Sequence, residues 1–148
     1  MRSRLTAVAV LCLAACAAPV ETRRAAPGDL AAVRSRITAE LARLGFTLTA
    51  GAGPVIEATA TTAPDDWATC GPTLVGGGGS DESRRMATAD AERAAVRVEL
   101  TPAGGGTQAD VATEFTGSYR NPITSYRFDR TCRSNGVVES RLLTAAGA

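Results

Sequence analysis

The apolar residues of this chain follow three rhythms. From Leu5 to Ala15 they are nearly continuous, with only Thr6 polar. From Leu30 they recur as Leu30, Val33, Ile37, Leu41 and Leu44. Those steps of three and four residues put them on one face of a helix. From Phe46 they alternate with polar residues, the period of a half-buried strand. Helical spacing returns between about Asn135 and Ala145, through Val138 and Leu142, with Val137 and Ala145 as further apolar positions.

The punctuation agrees with the rhythm. Asp29 is a good N-cap, since its carboxylate can accept a first-turn N–H and suits the positive dipole end. Gly45 is a good C′ residue, tolerating the left-handed conformation. Arg34, Arg36, Glu40 and Arg43 are expected on the wet side of this helix. Phe46, Leu48 and Ala50 alternate up to the turn residues Gly51-Ala52-Gly53-Pro54. Val55–Thr61 then alternates with Ile56, Ala58 and Ala60 on one side, which predicts a hairpin. A second hairpin is expected from Val96–Leu100, the turn Gly104-Gly105-Gly106, and Gln108–Phe115. A loop with Asn121-Pro122 leads to a fifth strand over Ser125–Arg130. Residues 86–94 fit either a strand extension or a short helix. Ser134 is the expected cap of the last helix, and Glu139 suits its positive end. The expected fold is α+β: a mainly antiparallel sheet of about five strands, with an N-terminal helix and a short C-terminal helix on one face.

The run from Leu5 to Ala15 is eleven residues long, against the roughly 20 that a membrane-spanning helix requires. Behind the basic head Met1-Arg2-Ser3-Arg4 it fits the core of an export signal. Ser3 separates the two arginines, so the head is not of the twin-arginine kind. The run ends in Leu13-Ala14-Ala15-Cys16, which resembles the lipobox of bacterial lipoproteins. That resemblance implies a lipid on the Cys16 thiol, cleavage just before it and acylation of the new amino group. Each buried acyl methylene contributes ~0.8 kcal/mol, and two or more chains anchor stably. Ala17, where Asp would mark inner-membrane retention, resembles an outer-membrane sorting signal facing the periplasm. The expected organisation is therefore a signal over 1–15, with Cys12 discarded. A lipid-anchored tether over 16–27 and one domain over 28–148 follow. The stretch Cys132-x-Ser134-x-Gly136-x-x-Glu139 resembles the close of small uncharacterised lipoproteins of Gram-negative bacteria. No activity comes with that likeness.

Composition narrows the chemistry. Arginine supplies all 16 basic residues, and there is no lysine or histidine. Without Arg2 and Arg4 the balance against 15 acidic residues is close to neutral, so nothing argues for nucleic acid. The missing histidines remove imidazole catalysis, Ser-His-Asp and Cys-His nucleophiles and His metal ligands. The missing lysines remove Schiff-base chemistry. Gly76-Gly77-Gly78-Gly79-Ser80 lacks the Gly-Lys-Ser/Thr of a phosphate loop and reads as a surface loop. No cofactor is expected. Asp65, Asp66, Asp81 and Glu82 lack the order of a calcium loop, so no metal is expected either. Asp65 and Asp66 are adjacent acids that would point apart on an extended segment, a poor carboxylate pair. Cys70 and Cys132 are the body cysteines of an exported chain, which predicts a disulfide. Closing that loop stabilises by roughly 4 kcal/mol at most on chain-entropy grounds. A reactive thiol is the alternative, but there is no Cys-x-x-Cys and no His to activate one. Trp67 is expected to pack near the disulfide.

The segment Tyr119-Arg120-Asn121-Pro122-Ile123-Thr124-Ser125-Tyr126-Arg127 places two Tyr-Arg pairs around a proline loop. Tyr119, Arg120, Tyr126 and Arg127 are candidate interface residues, since Tyr and Arg are frequent binding hot spots. The function expected is a non-catalytic binding or envelope-assembly module, joined to the membrane through Cys16 and meeting an envelope protein partner. The alternatives are a carrier of small apolar ligands in a groove between helix and sheet, and a carboxylate-dependent hydrolase.

Overall fold

The computed structural model describes residues 20–50, 53–62, 66–75 and 85–148. Cys12, Cys16, the start of the tether, Asp65, Gly76–Ser80, Asp81 and Glu82 lie outside them.

The first helix, α1, runs from Leu30 to Arg43, with ends where the side chains place them. The Ala32 N–H donates to Asp29 Oδ1 at 2.8 Å, and Gly45 takes φ +83°. Val33, Ile37 and Leu41 are buried, and Leu30 and Leu44 pack against the same core. Glu40 departs from its expected wet position and is only 8% exposed. It turns toward the second helix, α2 (Val137–Gly147), where Arg141 Nε donates to it at 2.7 Å. The helical period separates a sheet-facing side from the rest, but it carries no sign that another helix lies alongside.

The strands are β1 (Arg23–Pro27), β2 (Thr47–Ala50), β3 (Val55–Thr62), β4 (Ala68–Thr69), β5 (Thr73–Val75), β6 (Arg85–Ala87), β7 (Ala89–Ala103), β8 (Gly106–Arg120) and β9 (Arg127–Ser134). Among the described residues, β2-β3-β7-β8-β9-β4 form one path, β1 joins it by pairing with β8, and β5 pairs with β6. Every pairing among the described residues is antiparallel. The α+β class stands, but the main sheet has seven strands rather than about five. The additions are the short β4 and a strand inside the expected tether.

That strand, β1, pairs Arg23–Pro27 with Asp110–Gly106 of β8. The tether expected over 16–27 therefore ends by residue 22. Its alanines and prolines carry no apolar alternation, because a short edge strand is held mainly by its backbone ladder, and proline is tolerated at an edge. A side chain on Gly106 would place Cβ 2.4 Å from the Ala26 carbonyl oxygen. Only glycine lets β1 approach this closely.

The β7–β8 hairpin is far longer than the expected segments, with 15 residues in each arm. The two-residue turn is Gly104-Gly105, both with positive φ and flanked by the pair Ala103 and Gly106; such turns match the twist of the strands they join. Residues 89–94 resolve as strand. Their alternation was hidden because Glu92, at 0% exposure, occupies an inward position.

One face of the sheet buries Ile56, Ala58, Val96, Val98, Leu100, Ala109, Val111 and Phe115, and the helices pack on this side. The opposite face carries ion pairs of Arg97 with Glu57, Arg23 with Asp110 and Arg93 with Asp129. Among the described residues no helix is long and apolar enough to cross a membrane.

Candidate functional site

The segment between β8 and β9 is a short loop braced from within. Asn121 Oδ1 accepts the Ile123 N–H at 2.8 Å and the Thr124 N–H at 3.2 Å, the local bridging that makes Asn a turn residue. The Asn121 N–H donates to the Tyr126 carbonyl at 2.8 Å, and Ser125 N–H to the Asn121 carbonyl at 2.9 Å. Ser125 closes the loop in a left-handed conformation, φ +61°. On this frame Ile123 is 52% exposed and Tyr126 69% exposed. Arg120 and Arg127 face each other as direct cross-strand partners, both exposed. Arg127 Nη1 is 3.7 Å from Asp90 Oδ2.

Three of the four candidate interface residues therefore sit together at this tip. Tyr119 does not: it is only 2% exposed. Its ring stacks on Phe128 with centroids 5.4 Å apart, and its hydroxyl donates to the Gly71 carbonyl at 2.8 Å. In a strand, adjacent residues point to opposite faces, so Tyr119 and Arg120 cannot serve one surface. Ile123 takes its place in the exposed group.

Cys70 and Cys132 form the expected disulfide, 62 residues apart in sequence. It lies over Gly117, where an added Cβ would stand 3.0 Å from both sulfurs and from Tyr119 Cε2. Trp67 belongs to the same buried core and stacks on Phe46 with centroids 4.9 Å apart.

The residues of the Cys-x-Ser-x-Gly-x-x-Glu stretch build the joint from β9 into α2. Cys132 carries the disulfide. Ser134 Oγ accepts the Gly136 N–H at 3.0 Å and donates to Glu139 Oε1 at 2.6 Å. Gly136 is the N-cap in a left-handed conformation, φ +83°. Ser134 is thus not the cap that was expected, because the helix begins only at Val137 and Gly136 takes the cap position. Glu139, 2% exposed, also accepts the Thr113 hydroxyl at 2.5 Å. Each residue of the stretch has a folding role.

Elsewhere the surface offers open depressions. One of about 630 Å³ on the helix-free sheet face is lined by Thr47, Thr59, Thr61, Arg93, Glu114 and Thr116. Another, of about 460 Å³, lies between the helices beside Arg36, Glu40, Arg43 and Arg141. Of the two adjacent acids, Asp66 is described: it is exposed, and its carboxylate accepts the Thr62 hydroxyl at 2.6 Å. Among the described residues no group of three or more His, Cys, Asp or Glu side chains could hold a metal ion.

No protein family, curated protein or solved structure matches this chain. The site's own geometry is therefore the basis for a functional reading.

Proposed function

We propose that this chain is a lipoprotein of the bacterial envelope, anchored through Cys16 and facing the periplasm. Its α+β domain acts as a non-catalytic binding or assembly module that meets a partner with the β8–β9 tip. The observation that carries the reading is the pairing of a rigid loop with a large exposed apolar surface. Ile123 and Tyr126 stand at 52% and 69% exposure on a turn held by four backbone N–H bonds. A preordered loop loses little freedom on binding, and functional loops are commonly placed by a rigid sheet.

The carrier reading needs space between helix and sheet. Val33, Ile37 and Leu41 of α1 and Ile56, Val98 and Leu100 of the sheet share one core, each at most 1% exposed. No observation there favours a ligand.

Replacing Cys16 with alanine tests the anchor. The variant is expected in the soluble envelope fraction, without the mass of acyl chains. Unchanged membrane fractionation would remove the lipoprotein half of the reading. The docking half is tested by the effect of Tyr126→Ser on complexes recovered after envelope crosslinking. A pattern identical to the parent chain would count against the tip.

A further inference from the structure

The tip carries two arginines that the fold leaves largely uncompensated. Arg120 and Arg127 are direct cross-strand partners. Like charges placed opposite one another in an antiparallel pair are destabilising. Among the described residues the counter-charge near them is Asp90, 3.7 Å from Arg127 and itself 46% exposed. Arg120 makes no ion pair among the described residues. The neighbouring row on the same face is balanced differently: Asp129 accepts from both Arg93 and the Ser118 hydroxyl. The tip thus carries more positive than negative charge beside Ile123 and Tyr126.

We infer that the tip docks an acidic segment of a partner protein, with a carboxylate received between Arg120 and Arg127 and an apolar side chain against Ile123 and Tyr126. The inference rests on the anchored-module reading above. Guanidinium groups match carboxylates in bidentate geometry, and a Tyr beside Arg is the composition of a binding hot spot. A bound carboxylate would also relieve the repulsion between the two arginines.

An anionic bilayer offers similar charge, and the anchor geometry limits how the tip reaches it. The Thr22 carbonyl accepts the Val111 N–H at 2.7 Å, which ties the chain to the middle of β8. From Val111 to Arg120 a strand advances about 30 Å. From Cys16 to Thr22 the backbone spans at most about 21 Å. With β8 upright on the membrane that holds Cys16, a tip resting at the bilayer surface would require a longer tether. A tilted domain reaches the bilayer with its tip, and the vesicle arm of the test separates that arrangement from a protein partner.

The test uses the full-length lipidated chain with a photocrosslinking amino acid at position 123, irradiated in intact envelopes, with the joined peptide sequenced by mass spectrometry. The expected result is a discrete protein adduct whose joined peptide is rich in Asp or Glu. The pair Arg120→Glu and Arg127→Glu should reduce it at least about tenfold, while the disulfide and the far-ultraviolet circular dichroism stay unchanged. An adduct that survives the reversal overturns the acidic chemistry and leaves the tip a docking surface. Absence of any adduct from position 123 removes the docking reading itself. A second arm places the lipidated chain in phosphatidylglycerol–phosphatidylethanolamine vesicles with nitroxide-bearing lipid and a fluorophore at position 123. No quenching is expected; strong quenching would assign the tip to the bilayer and overturn the protein partner.

Discussion

Gly117 is the position where one added carbon tests the packing most directly. It sits in β8 beneath the disulfide, and a Cβ there would stand 3.0 Å from Cys70 Sγ, Cys132 Sγ and Tyr119 Cε2. All three atoms are constrained: the sulfurs by their bond, the ring by its stacking on Phe128 and its hydrogen bond to Gly71. Overpacking of this kind costs about 1–3 kcal/mol. Against it, replacing a glycine within a strand recovers roughly 0.5–1 kcal/mol of backbone entropy. Gly117→Ala should therefore destabilise by about 1–2 kcal/mol, read from equilibrium urea unfolding of the Cys16→Ala chain. In a Cys70→Ala, Cys132→Ala background two of the three contacts disappear, and the same substitution should become neutral or slightly stabilising. The resulting coupling, about 1–2 kcal/mol, lies in the usual range for touching residues. A glutathione titration reads the same coupling independently, with the substitution shifting the equilibrium toward free thiols. Equal effects of Gly117→Ala in both backgrounds, or a stabilised disulfide-bonded variant, would refute the reasoning.

Gly106→Ala should push β1 off β8, since the new Cβ meets backbone that has no rotamer to change; hydrogen exchange should speed up at the Val111 amide, and unchanged protection would contradict this. Removing Glu139 leaves the Thr113 and Ser134 hydroxyls without their acceptor, so Glu139→Ala should cost about 2–3 kcal/mol in thermal or urea unfolding. Glu139→Gln, which keeps one acceptor oxygen, should cost less. Glu40→Ala and Arg141→Ala should be markedly non-additive, because each removes the other's partner; additive losses would place their effects elsewhere. The hydrogen bond from Arg24 holds the Glu21 carboxyl below its ordinary value of 4.5, against a smaller opposing effect of desolvation. The favourable contribution is thus present at neutral pH and is lost as pH falls through the lowered folded value. An NMR titration should find that midpoint below 4.5, and Arg24→Ala should return it upward.

The tip illustrates how far sequence reading reached. Tyr119-Arg120 and Tyr126-Arg127 looked equivalent as pairs flanking Asn121-Pro122. Strand alternation alone separates Tyr119 from Arg120, but it does not say which of the two faces inward. That choice was made by the disulfide, Phe128 and the Gly71 carbonyl, all brought to Tyr119 by pairing with distant segments. Ile123 was visible in the segment, yet its exposure depends on the internal bracing of the loop by Asn121.

The sequence by itself determined what local chemistry controls. Asp29 and Gly45 set the ends of α1, the apolar stripe set its buried face, paired alternation with glycine turns set the two hairpins, and Cys70 and Cys132 were legible as a disulfide pair. Tertiary structure decided whatever depends on contact between segments far apart in the chain. Strand β1 exists because β8 supplies its ladder and Gly106 leaves room for its backbone. Glu40 is buried because α2 lies beside α1 and brings Arg141 to it. Glu92 points inward because the register of β7 between β3 and β8 leaves it no other face. Local signals act through each residue's own backbone and nearest turn, whereas these outcomes follow from the energy of neighbours the chain supplies only once it has folded.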